Sequence, residues 1–441
     1  MKKIIPVLCC LLLFLLGCAH LTDEIYPNQC ETIDEPTASD MYSFSEILNI
    51  ANSIASDIDA PASRSGVRTA NISGIVDCAI GHSRSEESNM YVVNYEDNQG
   101  FAIISKYRME NPVMAVINEG TYDFEKCSDN PGFNTFVYLA ENMIKNRDSL
   151  KIDPEPFEPL EPIDTNKIVI TPATKYKTVR DTLSKTIVPS KLQYLKWGQR
   201  DPEGWFCENK ISGCVPTAMA MIITHFSAMN TTIFYTYPNR DRESDEFDWS
   251  LIKKHEQSGP NAIWCCDYNI HRKIARLCRQ LGEVAHSDYS KPKSTSTNKH
   301  YVKPTLNKYL PFRTISDFTT YNYSGVIQAI NSGLAIMRGD AYYTDSQNNR
   351  LPTDTVYGHE WIADGCYHAK VRKKTYRKAA NDLDWVLEST VIEEKKLISF
   401  NWGWNGKDNS TNLNGYYHSE VFKPTELNGK RFFDCEYLTI Y

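Results

Sequence analysis

The chain has no long run of lysine and arginine, and its 48 basic residues are outnumbered by 55 acidic ones, for a net charge of −7. Without a basic footprint to track a phosphate backbone, nucleic acid is not an expected partner. No Cys-x-x-Cys pair occurs, and the adjacent Cys265 and Cys266 cannot chelate one zinc ion in the usual way. No structural metal and no cofactor are therefore expected. Past the first 17 residues no apolar stretch approaches the length of a membrane span, and low-complexity or collagen-like segments are missing. Thirteen cysteines in 441 residues are too few for a disulfide-stapled scaffold. Present instead are 41% hydrophobic residues, with 8 Trp, 26 Tyr and 17 Phe, enough to bury a sizeable core in two or three folding units.

The N-terminus carries an address. Met1-Lys2-Lys3 is positive, Ile4 to Leu16 is apolar but too short to span a bilayer, and Leu15-Leu16-Gly17-Cys18 resembles a bacterial lipobox. Residues 1–17 read as a lipoprotein signal peptide and Cys18 as the lipid attachment site. More than one acyl chain there gives stable anchoring of an exported protein. Ala19, rather than Asp, after the cysteine fits delivery to the outer membrane. Residues 18–40 are a polar tether.

A small α+β module follows over 41–150. Phe44, Ile47, Leu48, Ala51, Ile54, Ala55 and Ile58 are spaced as the apolar stripe of a helix. Segments 90–95, 101–105 and 112–117 have strand composition, and 133–144 is periodic like a second helix. Residues 151–187 read as a linker: Pro154, Pro156, Pro159 and Pro162 lie among acidic residues, and Lys175 to Lys185 is a polar, Lys/Arg-bearing stretch suited to nicking. Residues 188–441 read as one domain.

Within that domain Ser212-Gly213-Cys214-Val215-Pro216-Thr217 precedes an apolar run to Phe226. Proline is tolerated only in a helix's first turn, so Pro216 sets Cys214 at a helix N-terminus, where the dipole favours thiolate. A thiolate needs a base. His359 stands in Tyr357-Gly358-His359-Glu360-Trp361-Ile362-Ala363-Asp364-Gly365, an alternating strand expected to end at the Asp-Gly turn. His225 and His368 read as packing or surface residues. In Asn401-Trp402-Gly403-Trp404 an amide stands ready to hold one imidazole nitrogen while an indole shields the bond. Gln199, fifteen residues before Cys214, offers an amide to an oxyanion hole.

Gln199, Gly213-Cys214-Val215-x-Thr217-Ala218, Gly358-His359 with Asp364-Gly365, and Asn401-Trp402-Gly403-Trp404 together resemble the streptopain family of cysteine peptidases. Phe247-Asp248-Trp249 and Asp288-Tyr289 add to the likeness. Tyr91 to Asn94 through Gly100 to Ile104 and on to Gly120 resembles that family's inhibitory propeptide. The resemblance implies an α+β architecture, a papain-like peptidase domain after a small propeptide domain, and a zymogen of a cysteine endopeptidase. By the same likeness Cys214 is the nucleophile, His359 the acid/base, Gln199 the oxyanion donor, Asn401 the orienting residue and Trp402 the shield. Partners are then protein or peptide substrates, the chain's own propeptide, and a membrane reached through lipid on Cys18.

Three positions depart from the pattern. Pro216 replaces an alanine, Asn405 interrupts a Gly-Gly, and Glu360 replaces a small or apolar residue and is expected to change a surface rather than the chemistry. The 407–414 loop is longer than expected. A non-catalytic surface lipoprotein on the same scaffold is the alternative, against which all four site residues stand; a transglutaminase-type transferase is disfavoured by Asn401 where Asp is usual. In the family the propeptide holds the catalytic His out of position, and Asp129-Asn130-Pro131-Gly132 is a candidate for the inserting turn. Activation is expected by cleavage between Lys151 and Ser190, within Lys175 to Lys185 for preference. Pairing of Cys207, Cys265, Cys266, Cys278, Cys366 and Cys435 is left open.

Overall fold

The computed structural model describes residues 40–59, 72–77, 88–122, 130–146, 175–226, 233–236, 242–245, 247–258, 264–341, 357–378, 384–404, 412–423, 425–427 and 430–441. All belong to one compact unit, Asp40–Tyr441. The leader, Cys18 and the Pro-rich part of the linker lie outside the described residues, as do the side chains of Cys265 and Cys266. Among the described residues no helix is long and apolar enough to cross a membrane.

The first module has helices α1 (Phe44–Asp59) and α2 (Pro131–Lys145) and strands β1 (Ile72–Asp77), β2 (Met90–Tyr95), β3 (Phe101–Ser105) and β4 (Val113–Ile117). Ser43 and Glu46 form a reciprocal cap at the start of α1, Ser43 N donating to the Glu46 carboxylate at 2.9 Å. Every residue of β3 and β4 is buried, because both faces of this sheet are covered. Val93, Ala102 and Ile104 pack under α1, while Val92, Phe101 and Ile103 turn to the side of α2. β1 was not expected; its Ile-Ser-Gly-Ile-Val-Asp is too short and too weakly alternating to read as a strand alone.

The second module adds β5 (Lys175–Val188), a hairpin of β6 (Ile233–Thr236) and β7 (Arg242–Asp245), then β8 (Thr319–Thr320), β9 (Leu334–Ala341), β10 (Tyr357–Lys378), β11 (Val386–Asn401), β12 (Gly415–His418), β13 (Thr425–Leu427) and β14 (Lys430–Ile440). Its helices are α3 (Cys214–Phe226), α4 (Trp249–Ser258), α5 (Trp264–Val284), α6 (Val302–Tyr309) and α7 (Tyr323–Ser332). Residues 215–224 of α3 are all buried. They pack with α4, α5 and α6 into a core closed by Leu334, Ile336 and Ile362 of the sheet.

The two modules share one sheet. Its order is β1-β2-β3-β4-β12-β11-β10-β9-β14-β13, with β5 on β10 and β8 on β14. β4 joins β12 in antiparallel register, Ile117 opposite Gly415, Val116 opposite Tyr416 and Ala115 opposite Tyr417. On one face a single aromatic core crosses this seam: Phe136 of α2 lies 4.7 Å from Tyr417 and 6.1 Å from Phe422, ring to ring.

Two expectations are corrected here. Residues 175–187, read as the polar end of a linker, form β5 together with Val188, paired with β10 from Lys378 to Cys366. Its Thr, Val and Ile residues suit a strand, and its charges find partners across strands, Asp181 meeting Arg372 and Lys374. Asp364-Gly365 is not a turn. β10 runs straight through it with only a register shift, and a Cβ on Gly365 would come within 2.7 Å of the Val188 carbonyl. That glycine serves the close approach of β5.

Because Phe136 belongs to a core built from both modules, Phe136→Ala is expected to cost about 3–5 kcal/mol. A urea titration should show one cooperative transition at a lower midpoint. A separate early transition that leaves the second module's midpoint in place would show that the shared core does not couple them.

Candidate active site

Cys214 is the first residue of α3. Gly213 before it has φ +95°, a backbone turn that an L side chain would strain, and a Cβ there would press within 3.0 Å of Thr295. Thr217 closes the first turn by donating to the Gly213 carbonyl at 2.8 Å. The Gln199 segment is sewn to the same place, since Ser212 N donates to the Gln199 carbonyl at 2.8 Å. Gln199 and Cys214 are thus brought together through backbone. The Gln199 side chain is half-buried.

His359 lies on β10 with its ring buried against two indoles that touch each other, 6.0 Å from Trp361 and 6.2 Å from Trp402, nearly parallel to both. Its Nε2 is 2.9 Å from the Trp402 carbonyl. A carbonyl only accepts, so Nε2 carries the proton in that bond. Burial holds the His359 pKa down to about 4, with the Trp402 bond pulling the other way. No hydrogen bond joins His359 to Cys214 or to Asn401 in this arrangement.

Asn401 is buried and spends its amide elsewhere. Nδ2 donates to the Leu195 carbonyl at 2.8 Å, and Oδ1 accepts from Gly403 N at 3.1 Å. It fixes the 192–195 loop and the turn that presents Trp402. Asp364 does similar work, and sequence reading missed it because Asp-Gly suggested a turn. Its buried carboxylate accepts from Leu192 N and Ser399 Oγ, both at 2.8 Å, and from Ser190 Oγ.

The largest correction concerns Glu360. It is not a surface residue: it is 1% exposed, paired with Arg338 of β9 at 2.9 Å, and Arg338 also bonds Asp340. Side chains alternate along a strand, so His359 and Trp361 share the face of the aromatic core while Glu360 and Ile362 face α3. Glu360, rather than His359, is therefore the neighbour of Cys214. Burial first, and the Glu360 carboxylate second, push the Cys214 thiol up to about 11 against weaker opposition from backbone N–H groups and Arg338. The thiolate expected from the helix terminus is overridden in this arrangement. Burial also pushes Glu360 up to about 7 despite Arg338.

The first module reaches this site through the N-terminus of α2. Asn130 caps that helix, accepting from Phe133 N at 3.0 Å, and Pro131 occupies its first position. Gly132 then sits so close that a Cβ would lie 2.4 Å from the Trp402 ring and 2.8 Å from His359 Cδ2. Of the expected inserting turn, Gly132 touches the site, Asn130 and Pro131 open the helix that carries it, and Asp129 lies outside the described residues.

His225 and His368 are placed elsewhere, His225 against Phe226 and Lys253, His368 beside Tyr323. Cys207, Cys214, Cys278, Cys366 and Cys435 carry free thiols. Three donors that could hold a metal, His255, Glu256 and His271, lie within 4.8 Å of one another on α4 and α5, among none of the site residues.

The fold and site define a two-module peptidase precursor with a cysteine and a histidine not yet engaged. Residues 193–417, just over half of the chain, match the model of the peptidase C10 family, and residues 48–144 match that of the Spi protease inhibitor. The chain belongs to the peptidase C10 family, as a cysteine peptidase zymogen with its propeptide. Among solved structures it is similar to a prointerpain A fragment from Prevotella intermedia, at 18% identity over 82% of this chain and 97% of that one, with a TM-score of 0.47. No curated protein matches.

Glu360→Gln keeps a hydrogen bond to Arg338 but removes the negative charge that raises the thiol. The pH midpoint for alkylation of Cys214 in the uncut chain should fall while staying above that of an ordinary thiol, since burial remains. An unmoved midpoint would show that the carboxylate does not act on the sulfur.

Proposed function

We propose that this chain is the latent, lipid-anchored precursor of an exported cysteine endopeptidase. Cys214 is its nucleophile, His359 its acid/base, Gln199 with the Cys214 N–H its oxyanion hole, Asn401 the residue that orients His359, and Trp402 the shield. The observation that carries the reading is Gly132, seated against His359 and Trp402 while His359 faces away from Cys214. In the active form the His359 nitrogen takes the Cys214 proton and the sulfur attacks the scissile carbonyl. The proton then leaves with the amine, and water hydrolyses the thioester to free the acid and restore the thiol. The oxyanion of each tetrahedral step is held by the Gln199 amide and the N–H at the α3 terminus.

Activation has two requirements. The start of β10 must turn His359 toward α3, and α2 must leave before it can. The cut that frees the first module falls between Lys151 and Thr174 rather than in Lys175 to Lys185, because a protease needs extended, unpaired backbone and β5 is bonded along β10. Lipid on Cys18 stays with the first module, so the cut also separates the peptidase from that anchor.

Cys214→Ala and His359→Ala should each abolish cleavage of a fluorogenic peptide by the processed domain, and Gln199→Ala should lower kcat by roughly 10² to 10³. Turnover by Cys214→Ala at the parent's rate would sink the assignment. Uncut Cys214→Ala chain, mixed with active enzyme, should yield a new N-terminus before residue 175 by mass spectrometry.

Latency has its own test. Gly132→Leu forces α2 off the Trp402 ring and should give the uncut chain activity toward small peptides that the parent lacks. A folded Gly132→Leu chain that stays silent would move the block away from this contact.

A further inference from the structure

The core that β10 and β11 share with α1 and β4 stops partway along β10. Ala369 and Leu397 are the last residues of β10 and β11 in a core cluster, yet β10 continues to Lys378 between β5 and β11 as a three-stranded ribbon. At about 3.3 Å per residue the extension past Ala369 reaches roughly 30 Å. Its central strand, residues 370–378, holds Lys370, Arg372, Lys373, Lys374, Arg377 and Lys378 and no acidic residue. Of the carboxylates beside it, Glu388, Asp181, Glu393 and Glu394, the last three are each shared between two cations: Asp181 with Arg372 and Lys374, Glu393 with Arg180 and Lys373, Glu394 with Lys370 and Lys396. The ribbon is therefore positive in a chain whose net charge is −7.

It is also apolar where it should not be. Trp385, Val386, Leu387, Val391 and Ile392 are 39–51% exposed. Ile392 stands opposite Arg372 and Val391 opposite Lys373, so neighbouring apolar residues lie on opposite faces, each beside a cation. Among the described residues no core cluster includes any of them. A protein partner covers one face of a ribbon. An apolar surface wet on both faces, with an indole at its end and cations along its length, is suited by a medium that surrounds it and bears negative charge.

We propose that the β5-β10-β11 ribbon docks on an anionic lipid bilayer, Trp385, Val386 and Leu387 entering the headgroup region while the basic residues of β10 meet the lipid phosphates. This contact is separate from the lipid on Cys18 and would survive cleavage of the linker, since β5 lies after the proposed cut. Charge complementarity selects the anionic surface, and screening makes the contact salt-sensitive.

The mature chain from Ala19 onward, bearing Cys214→Ala, has neither lipid nor self-cleavage and can be floated with vesicles. Binding to phosphatidylcholine vesicles containing about one third phosphatidylglycerol should exceed binding to phosphatidylcholine alone by roughly tenfold near physiological salt. Lys373→Gln with Lys374→Gln and Arg377→Gln should remove most of that preference and its salt dependence. Trp385→Ser with Leu387→Ser should weaken binding and leave the salt dependence. Circular dichroism of each variant checks that the fold is kept. Equal binding to both vesicles, no binding, or variants that bind like their parent would each overturn the proposal. So would capture by polyglutamate alone, or ribbon-dependent dimerisation in sedimentation, which would reassign the ribbon to an acidic polypeptide or to a second copy.

Discussion

A β-strand offers successive side chains to opposite faces, and at the start of β10 that rule forces a choice between His359 and Glu360. Only one of them can face the N-terminus of α3. Here it is Glu360, and much of the site follows from that. The imidazole goes to an aromatic slot that suits its neutral form. The thiol is left beside a carboxylate in a place where charge is poorly solvated, so it keeps its proton. Trp361 and Trp402 lie against the ring there and make one side of its holding site.

The same alternation gives the first module its grip. Phe133, Phe136, Val137 and Ala140 of α2 enter the core that contains Trp361, Phe400 and Trp402, on the face where His359 is held. Burial of these aromatics brings the helix terminus against the ring, and a residue without a side chain lets it come within contact distance. Rigid support comes from below. Asn401 and Asp364, both buried and both bonded to backbone of the 190–195 stretch, tie two strands and a loop into one frame.

Much of this was legible in the sequence. The stripe from Ile47 to Ile58, the strands from Met90 to Ile117 and the helix opened by Pro216 all announce themselves by period and punctuation, and the structure has each of them. Local pattern could not say which way the start of β10 turns its alternating residues, because that depends on what packs on each face. Glu360 looked like a surface residue for the same reason: its partner, Arg338, lies on β9 and is adjacent only in the sheet. β5 was hidden by its charges, which suggest a linker until Asp181 is seen between Arg372 and Lys374. The pattern did find Asn130-Pro131-Gly132, whose signals of cap, first-turn proline and glycine are local.

The seam between β4 and β12 is only three residue pairs long. While the modules are one chain, their effective concentration is high and a short seam is enough to hold them in register. Cutting the linker breaks no contact at the seam and changes only the order of the reaction, from a rearrangement within one molecule to an encounter between two. Dilution then becomes the activating variable. A peptidase freed into a large volume would lose its inhibitor by dissociation, while one confined near its point of release would keep rebinding it, so the same cut yields different activity at different crowding of the surface.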